Sequence, residues 1–321
     1  MLSKLIEELR KRPLEELLEE AWMIRKKNFS DFLGIAVPSS KTYKMKHYQN
    51  RKNSFVNISI TGNDCELNCE HCQRKLLTSM IPAMNSEELI HLGDKLLLKG
   101  CKGVLISGGS NEKGSVPLLN HFEGIRYLKE RGLKVIVHTG LVSVETAKML
   151  KNAEVDQVLL DIIGSRETIR DVYHLDQEPE VFEKTLRILK DQGLSIAPHI
   201  VIGLHFGKIL GEYEALRIIS EIKPEVIVLV VLSPLEGTAM TNFETPAPEE
   251  IARICAIARI INKNTKITFG CAKPPKIKGI TEKLIIRAGV NTISFPMDET
   301  IDFAKSLSLE VVFKELCCSL I

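Results

Sequence analysis

The sequence has almost no net charge, no apolar run long enough to cross a bilayer, and no cysteine before position 65. A formal charge of +2 over 321 residues leaves no global field of the kind that draws a protein to nucleic acid or to an anionic membrane. Without a run of some twenty apolar residues, no membrane-spanning helix is expected. No secretory leader is evident either, and eight unpartnered cysteines then point to a reducing, cytoplasmic setting. Glutamine is scarce beside abundant Lys, Glu and Ile, a balance that leans toward a thermophilic source. A hydrophobic fraction of 44% is enough for a sizeable core.

The most informative stretch runs from Ile58 to Cys72, ISITGNDCELNCEHC. An apolar strand leads into a polar loop that carries Cys65, Cys69 and Cys72 with Cys-x3-Cys-x2-Cys spacing. Three such thiolates can hold a four-iron cubane and leave one iron without a protein ligand, open to a molecule bearing an amine and a carboxylate. A closed zinc site would need a fourth ligand, and the nearby choice, His71, is crowded against Cys72. This spacing after a first strand resembles the signature of radical SAM enzymes, with His71 at the usually aromatic position. The resemblance implies a [4Fe-4S] cluster held by Cys65, Cys69 and Cys72, S-adenosylmethionine on its open iron, and a 5′-deoxyadenosyl radical made with an electron from a reductant such as ferredoxin.

Apolar runs begin at FVNISI and recur as GVLIS, LKVIVH, DQVLLDI, IAPHIVIG, EVIVLVVL, KITFG and NTISF, with helical patterns between them. Near-continuous Val, Ile and Leu runs are what parallel strands covered on both faces look like. Eight of them predict a complete (βα)8 barrel over residues 55–296. Residues 1–54 read as two amphipathic helices, Met1 to Lys27, forming a plug under the barrel, with Ser3 capping the first; a basic linker with Lys41, Lys44, Lys46, His47, Arg51 and Lys52 follows. Residues 297–321 read as a short tail over the barrel mouth.

In such barrels the chemistry sits where strands end. The second strand ends in Ser107-Gly108-Gly109-Ser110, which resembles the Gly-Gly-Glu motif for the methionine amine of S-adenosylmethionine, with Ser110 in place of the acid. Its glycines let backbone approach a ligand. His138 and His199 aim into the same mouth and are candidates for metal binding, proton relay or substrate orientation. Asp161 resembles the ribose-binding acid of the biotin synthase group. The segment from Gly203 to Glu212 resembles the Gly-rich segment that lies along the adenosine in that branch, and Pro234, Gly237 and Thr238 resemble its Pro-x-x-Gly-Thr-Pro stretch.

Cys271 ends the seventh strand, and the adjacent Cys317 and Cys318 lie in the tail. Together they are candidates for a second, auxiliary [4Fe-4S] cluster able to donate sulfur; Cys101 and Cys255 read as core thiols. Biotin synthase itself is disfavoured, because this chain offers His138 and His199 where that enzyme has cluster cysteines. Classical lipoyl synthase is disfavoured by the lack of an N-terminal cysteine motif. ITGNDCELNCEHC, HTGL, PHIVIGLHFG and GCAKP resemble the archaeal-type two-component lipoyl synthase. That resemblance implies sulfur insertion into an octanoyl chain on a lipoyl-acceptor protein, with a second radical SAM subunit as partner and a docking rim of Lys41 to Lys52, Lys273, Lys276 and Lys278. A methylornithine synthase-like mutase, a hydrogenase maturase and a non-catalytic iron–sulfur scaffold are the alternatives.

Overall fold

Eleven strands, every neighbouring pair parallel, make one curled sheet in the structure, a computed structural model that describes residues 1–321. The strands are β1 (Phe32–Ala36), β2 (Phe55–Ser59), β3 (Ile81–Pro82), β4 (Gly103–Ser107), β5 (Lys134–His138) and β6 (Gln157–Asp161). They continue as β7 (Ile196–Ile202), β8 (Val226–Val231), β9 (Lys266–Phe269), β10 (Thr292–Ser294) and β11 (Glu310–Lys314). Two helices, α1 (Leu2–Lys11) and α2 (Leu14–Asn28), precede the sheet. The others are α3 (Ser86–Leu98), α4 (Phe122–Glu130), α5 (Val144–Asn152), α6 (Arg166–Tyr173), α7 (Glu180–Asp191), α8 (Glu212–Ile222), α9 (Pro248–Ile261), α10 (Lys278–Arg287) and α11 (Asp298–Ser306). Short polar side chains start several of them: Asn85, Ser143 and Ser165 accept the backbone N–H of Glu88, Thr146 and Thr168.

The eight expected strands are present as β2 and β4 to β10, but the complete (βα)8 barrel is not. The sheet order is β11-β1-β10-β9-β8-β7-β6-β5-β4-β2-β3, with β11 and β3 as unpaired ends. Residues outside the expected barrel therefore join its sheet: β1 inserts between β10 and β11, each in parallel register. Side chains rather than a strand ladder bridge toward β2. The Ser39 hydroxyl donates to the Phe55 carbonyl (2.7 Å) and accepts its N–H (2.9 Å).

The N-terminal helices are not a plug under the barrel. Helix α2 packs on α9 and α10, and α1 on α8 and α9, so both thicken the outer helical layer. Ser3 does not cap α1, whose N-cap is Met1. Two fully buried arginines fasten this layer to the sheet. Arg25 donates to the carbonyls of Val290 and Phe32, and Arg259 to those of Gly289, Asn262 and Thr265. Spreading each guanidinium over several carbonyls satisfies its donors where water cannot reach them.

The tail does not cover the mouth; it enters the concave interior of the sheet. Cys318 and Ile321, each 5% exposed, pack with Ala36, Phe55, Ile136, Leu159, Ala197, Val226, Val228 and Val230. The Thr268 hydroxyl donates to the Cys318 carbonyl and the Gln157 amide to that of Ser319. Small residues make the room. A methyl added at Gly34 would lie 2.5 Å from Ile321 Cγ2 and 2.9 Å from Thr292 Oγ1. A sheet whose inner face carries Gly, Ala, Ser and Thr cannot fill its own interior, and the tail supplies the missing volume.

Candidate functional site

The three-cysteine loop follows β2 and folds back over the ends of β4, β5 and β6. Its anchor on β4 is Gly109, whose N–H donates to Thr61 Oγ1 (2.7 Å) while the Thr61 hydroxyl donates to the Asp64 carbonyl (2.9 Å). The Glu66 N–H donates to the Ser110 carbonyl (2.8 Å). The Gly-Gly pair is thus needed partly by the protein itself. A methyl at Gly109 would overlap the Asp64 carbonyl and sit 2.5 Å from Cys65 Cβ.

A cavity of about 280 Å³ opens under this loop. Cys65, Cys69, Cys72, Ser107, Gly108, Gly109, Ser110, His138 and Asp161 all line it, so nine of the residues singled out in the sequence meet there. Leu67, Leu77, Met80, Leu141 and Phe182 make much of the remaining wall. The residues fit a cluster with a bound cofactor. Cys65, Cys69 and Cys72 line one cavity, and a cubane takes its thiolates at separate corners. His71 lines the same cavity; its buried Nδ1 has no hydrogen-bond partner, and its ring lies 5.3 Å from that of Tyr173. Burial raises the Cys69 and Cys72 thiols in the metal-free chain, so loading a cluster must displace protons.

Asp161 is the hub of the floor. Tyr173 Oη donates to its Oδ2 (3.2 Å), and His138 Nε2 lies 3.6 Å from its Oδ1. Burial pushes this carboxyl up, but the His138 ring, with His199 and His71, outweighs that and holds it well below the usual carboxylate range. It is an ionised acceptor facing the cavity. His199 stands across from His138, ring centroids 5.7 Å apart. Its Nδ1 donates to the Ala197 carbonyl (2.9 Å), leaving Nε2 as the acceptor. Burial, then the neighbouring His138, push its imidazole down to about 4, which keeps it neutral.

Other singled-out residues lie elsewhere. Glu212 is 4% exposed beneath the loop it follows; its Oε1 accepts the Gly203 N–H (2.7 Å), so both belong to a brace outside the cavity. Gly203 has φ +80° and abuts Pro246, which reserves the position for glycine. Lys273 is not on a docking rim. Its side chain is 4% exposed and pairs with the fully buried Glu282, which also accepts from the Met297 N–H and the Thr300 hydroxyl. Lys41, Lys44, Lys46, Lys52 and Lys276 are exposed, and Lys41 Nζ reaches the Cys271 carbonyl (3.2 Å). Arg51 and His47 are paired, with Glu315 and Asp302.

Cys271, Cys317 and Cys318 come together where the tail passes the end of β9. Each thiol is close enough to perturb the charge of another. The neighbouring Cys318 thiol favours the thiolate of Cys317, and Ser319 Oγ donates to the Cys317 sulfur at 3.4 Å. Cys271 is exposed, Cys317 half-buried and Cys318 buried. Cys101 and Cys255 are buried core thiols. The sequence reading did not single out Thr61 or Glu70, which lie within the cysteine stretch but outside its spacing pattern, or Tyr173 and His174, which reach the loop only through the fold.

Comparison with known proteins agrees with this geometry. The profile of the Radical SAM superfamily matches residues 59–216. Biotin synthase of Clostridioides difficile is 24% identical over 261 residues, 77% of each chain, and that of Clostridium botulinum is 24% identical over 94% of this chain and 95% of its own. Among solved structures, methylornithine synthase superposes with a TM-score of 0.64 at 18% identity, covering 92% of this chain and 82% of its own. The hydrogenase maturase of Carboxydothermus hydrogenoformans gives 0.66 at 14% identity over 99% and 80%. These two likenesses concern the fold. With its three-cysteine loop closed over the Gly-Gly strand end, the chain belongs to the radical SAM superfamily, in its biotin synthase-like branch.

Proposed function

We propose that the protein is a sulfur-inserting radical SAM enzyme, one subunit of a two-component lipoyl synthase that acts on an octanoyl chain carried by a lysine of an acceptor protein. The observation that carries this reading is the meeting of Cys271, Cys317 and Cys318 outside the first cysteine cavity. None of the eight cysteines is paired in a disulfide, so this trio has no structural disulfide role, and a reducing cytoplasm suits it.

When bound, the family's [4Fe-4S] cluster and S-adenosylmethionine supply a 5′-deoxyadenosyl radical, which would remove hydrogen from C6 or C8 of the acyl chain. Cys65, Cys69 and Cys72 would hold that cluster, and the backbone of Ser107 to Ser110 would face the methionine amine. The ionised Asp161 offers an acceptor to a ribose hydroxyl, while the neutral His199 can accept a proton at Nε2. A second [4Fe-4S] cluster on Cys271, Cys317 and Cys318 would be the sulfur source. The exposed Lys44, Lys46 and Lys52, with Lys41 at the Cys271 carbonyl, would receive an acidic acceptor domain, and a ferredoxin-type reductant and a second radical SAM subunit would complete the system.

Iron and sulfide analysis of anaerobically reconstituted protein tests the reading. Two four-iron clusters require about eight irons per chain, falling to about four when Cys271, Cys317 and Cys318 are all replaced by serine. About four irons in the unaltered chain would overturn it. The burial of Cys318 within the interior packing favours a second reading, a carbon rearrangement that needs no sulfur donor, and the same iron count separates the two.

A further inference from the structure

Three consecutive residues at the end of α6 each touch the three-cysteine loop. The Val172 carbonyl accepts the Glu70 N–H (3.0 Å). The Tyr173 ring packs on His71. His174 makes two bonds: Nδ1 lies 2.8 Å from the Leu67 carbonyl, and Nε2 lies 2.9 Å from Glu70 Oε1. A carbonyl oxygen only accepts, so Nδ1 carries a proton and donates.

Backbone geometry shows that this contact is held against a local preference. His174 is the C-cap of α6 at φ 58°, ψ 28°, a left-handed position at which glycine is favoured. The loop it grips has left-handed non-glycine residues of its own, Asn68 (φ 46°), Gln73 (φ 41°) and Arg74 (φ 66°). Its internal backbone bonds are all short-range: Cys72 and Gln73 N–H donate to the Cys69 carbonyl, Lys75 N–H to that of Cys72 and Leu77 N–H to that of Arg74. Such a loop does not keep its shape unaided, because each of these residues would relax toward right-handed or extended backbone if released. Leu67 and Glu70 lie between the cysteines, so a hold on them is a hold on the spacing of the thiolates.

We propose that His174 is a positioning residue that fixes the three-cysteine loop in its cluster-holding shape. The proposal rests on membership of the radical SAM superfamily and not on sulfur insertion.

His174→Gly relieves the left-handed backbone and deletes the ring, and His174→Gln keeps a donor within reach. Metal-free His174→Gly should melt at the same temperature as the unaltered chain, or higher. In reconstituted full-length protein, the part of the reduced EPR signal that shifts on adding S-adenosylmethionine reports the first cluster. Under a chelator that signal should decay about tenfold faster in His174→Gly, as expected for losing one to two hydrogen bonds, and its line shape should change. His174→Gln should restore most of the lifetime. The proposal fails if His174→Gly keeps the original lifetime and line shape, if metal-free melting falls along with cluster retention, or if His174→Gln does no better than His174→Gly.

Discussion

Replacing Gly109 by alanine tests how the cluster loop is seated. The added methyl would lie 2.5 Å from Cys65 Cβ and 2.6 Å from its Cα, and would overlap the Asp64 carbonyl. Ordinary carbon contacts need about 3.5–4.0 Å, so backbone at Asp64–Cys65 must retreat by roughly 1 Å. Neither neighbour is a flexible side-chain end that could swing away. The displacement also stretches the 2.7 Å bond from the Gly109 N–H to Thr61. Overpacking of this kind costs about 1–3 kcal/mol, little enough for the fold to survive. The chemistry should suffer more, since a misplacement of about 1 Å at a reacting centre lowers rates about 100-fold. Formation of 5′-deoxyadenosine from S-adenosylmethionine under dithionite, measured with iron per chain, reads both effects. Gly108→Ala is the control: its methyl meets only side-chain atoms, Thr61 at 3.0 Å and Ile60 at 3.2 Å, and its rate should stay within about tenfold. A Gly109→Ala protein with full iron and an undiminished rate would refute the seating described above.

Two further perturbations follow from charge and burial. Burial raises the Glu212 carboxyl from its ordinary 4.5 to about 7, so the folded chain holds a proton that the unfolded chain has lost between those values. Stability from this group is complete below about pH 4.5 and declines to pH 7, by about 3 kcal/mol in all. Glu212→Gln keeps an acceptor for the Gly203 N–H and should flatten the decline; denaturant unfolding of metal-free protein at pH 5 and pH 8 checks it, and an unchanged slope would refute the assignment. Changing Lys44, Lys46 and Lys52 to glutamine should weaken binding of an acidic acceptor domain up to about tenfold at low salt and much less at high salt, where exposed charges are screened. Equal affinities at low salt would remove the docking rim.

Much of the architecture was legible along the chain because covered parallel strands are written as Val, Ile and Leu runs; all eight expected strands exist, in their expected order. FLGIA escaped because it precedes the strand–helix alternation, and EVVFK because it is half-exposed with charged ends. With β1 set between β10 and β11, the sheet continues past the eighth expected strand instead of closing on the first. RETIRDVY is half charged, and the fold buries its apolar Ile169 and Val172.

Local chemistry is a property of spacing, and Cys65, Cys69 and Cys72 announced the cluster loop within eight residues. What lies behind a side chain is not local. Lys273 read as part of a docking rim and proves to be buried, paired with Glu282 nine residues on. Cys318 read as part of a lid and proves to fill an interior left open by Gly34, Ala36, Ala197, Thr268 and Ser294, residues scattered over four elements. His174 reaches the loop across more than a hundred residues of chain. The order of residues decided which groups could hold iron and where strands would form. Burial, strand closure and the grip on the cysteine loop depend on contacts between distant segments, and only the folded chain brings those together.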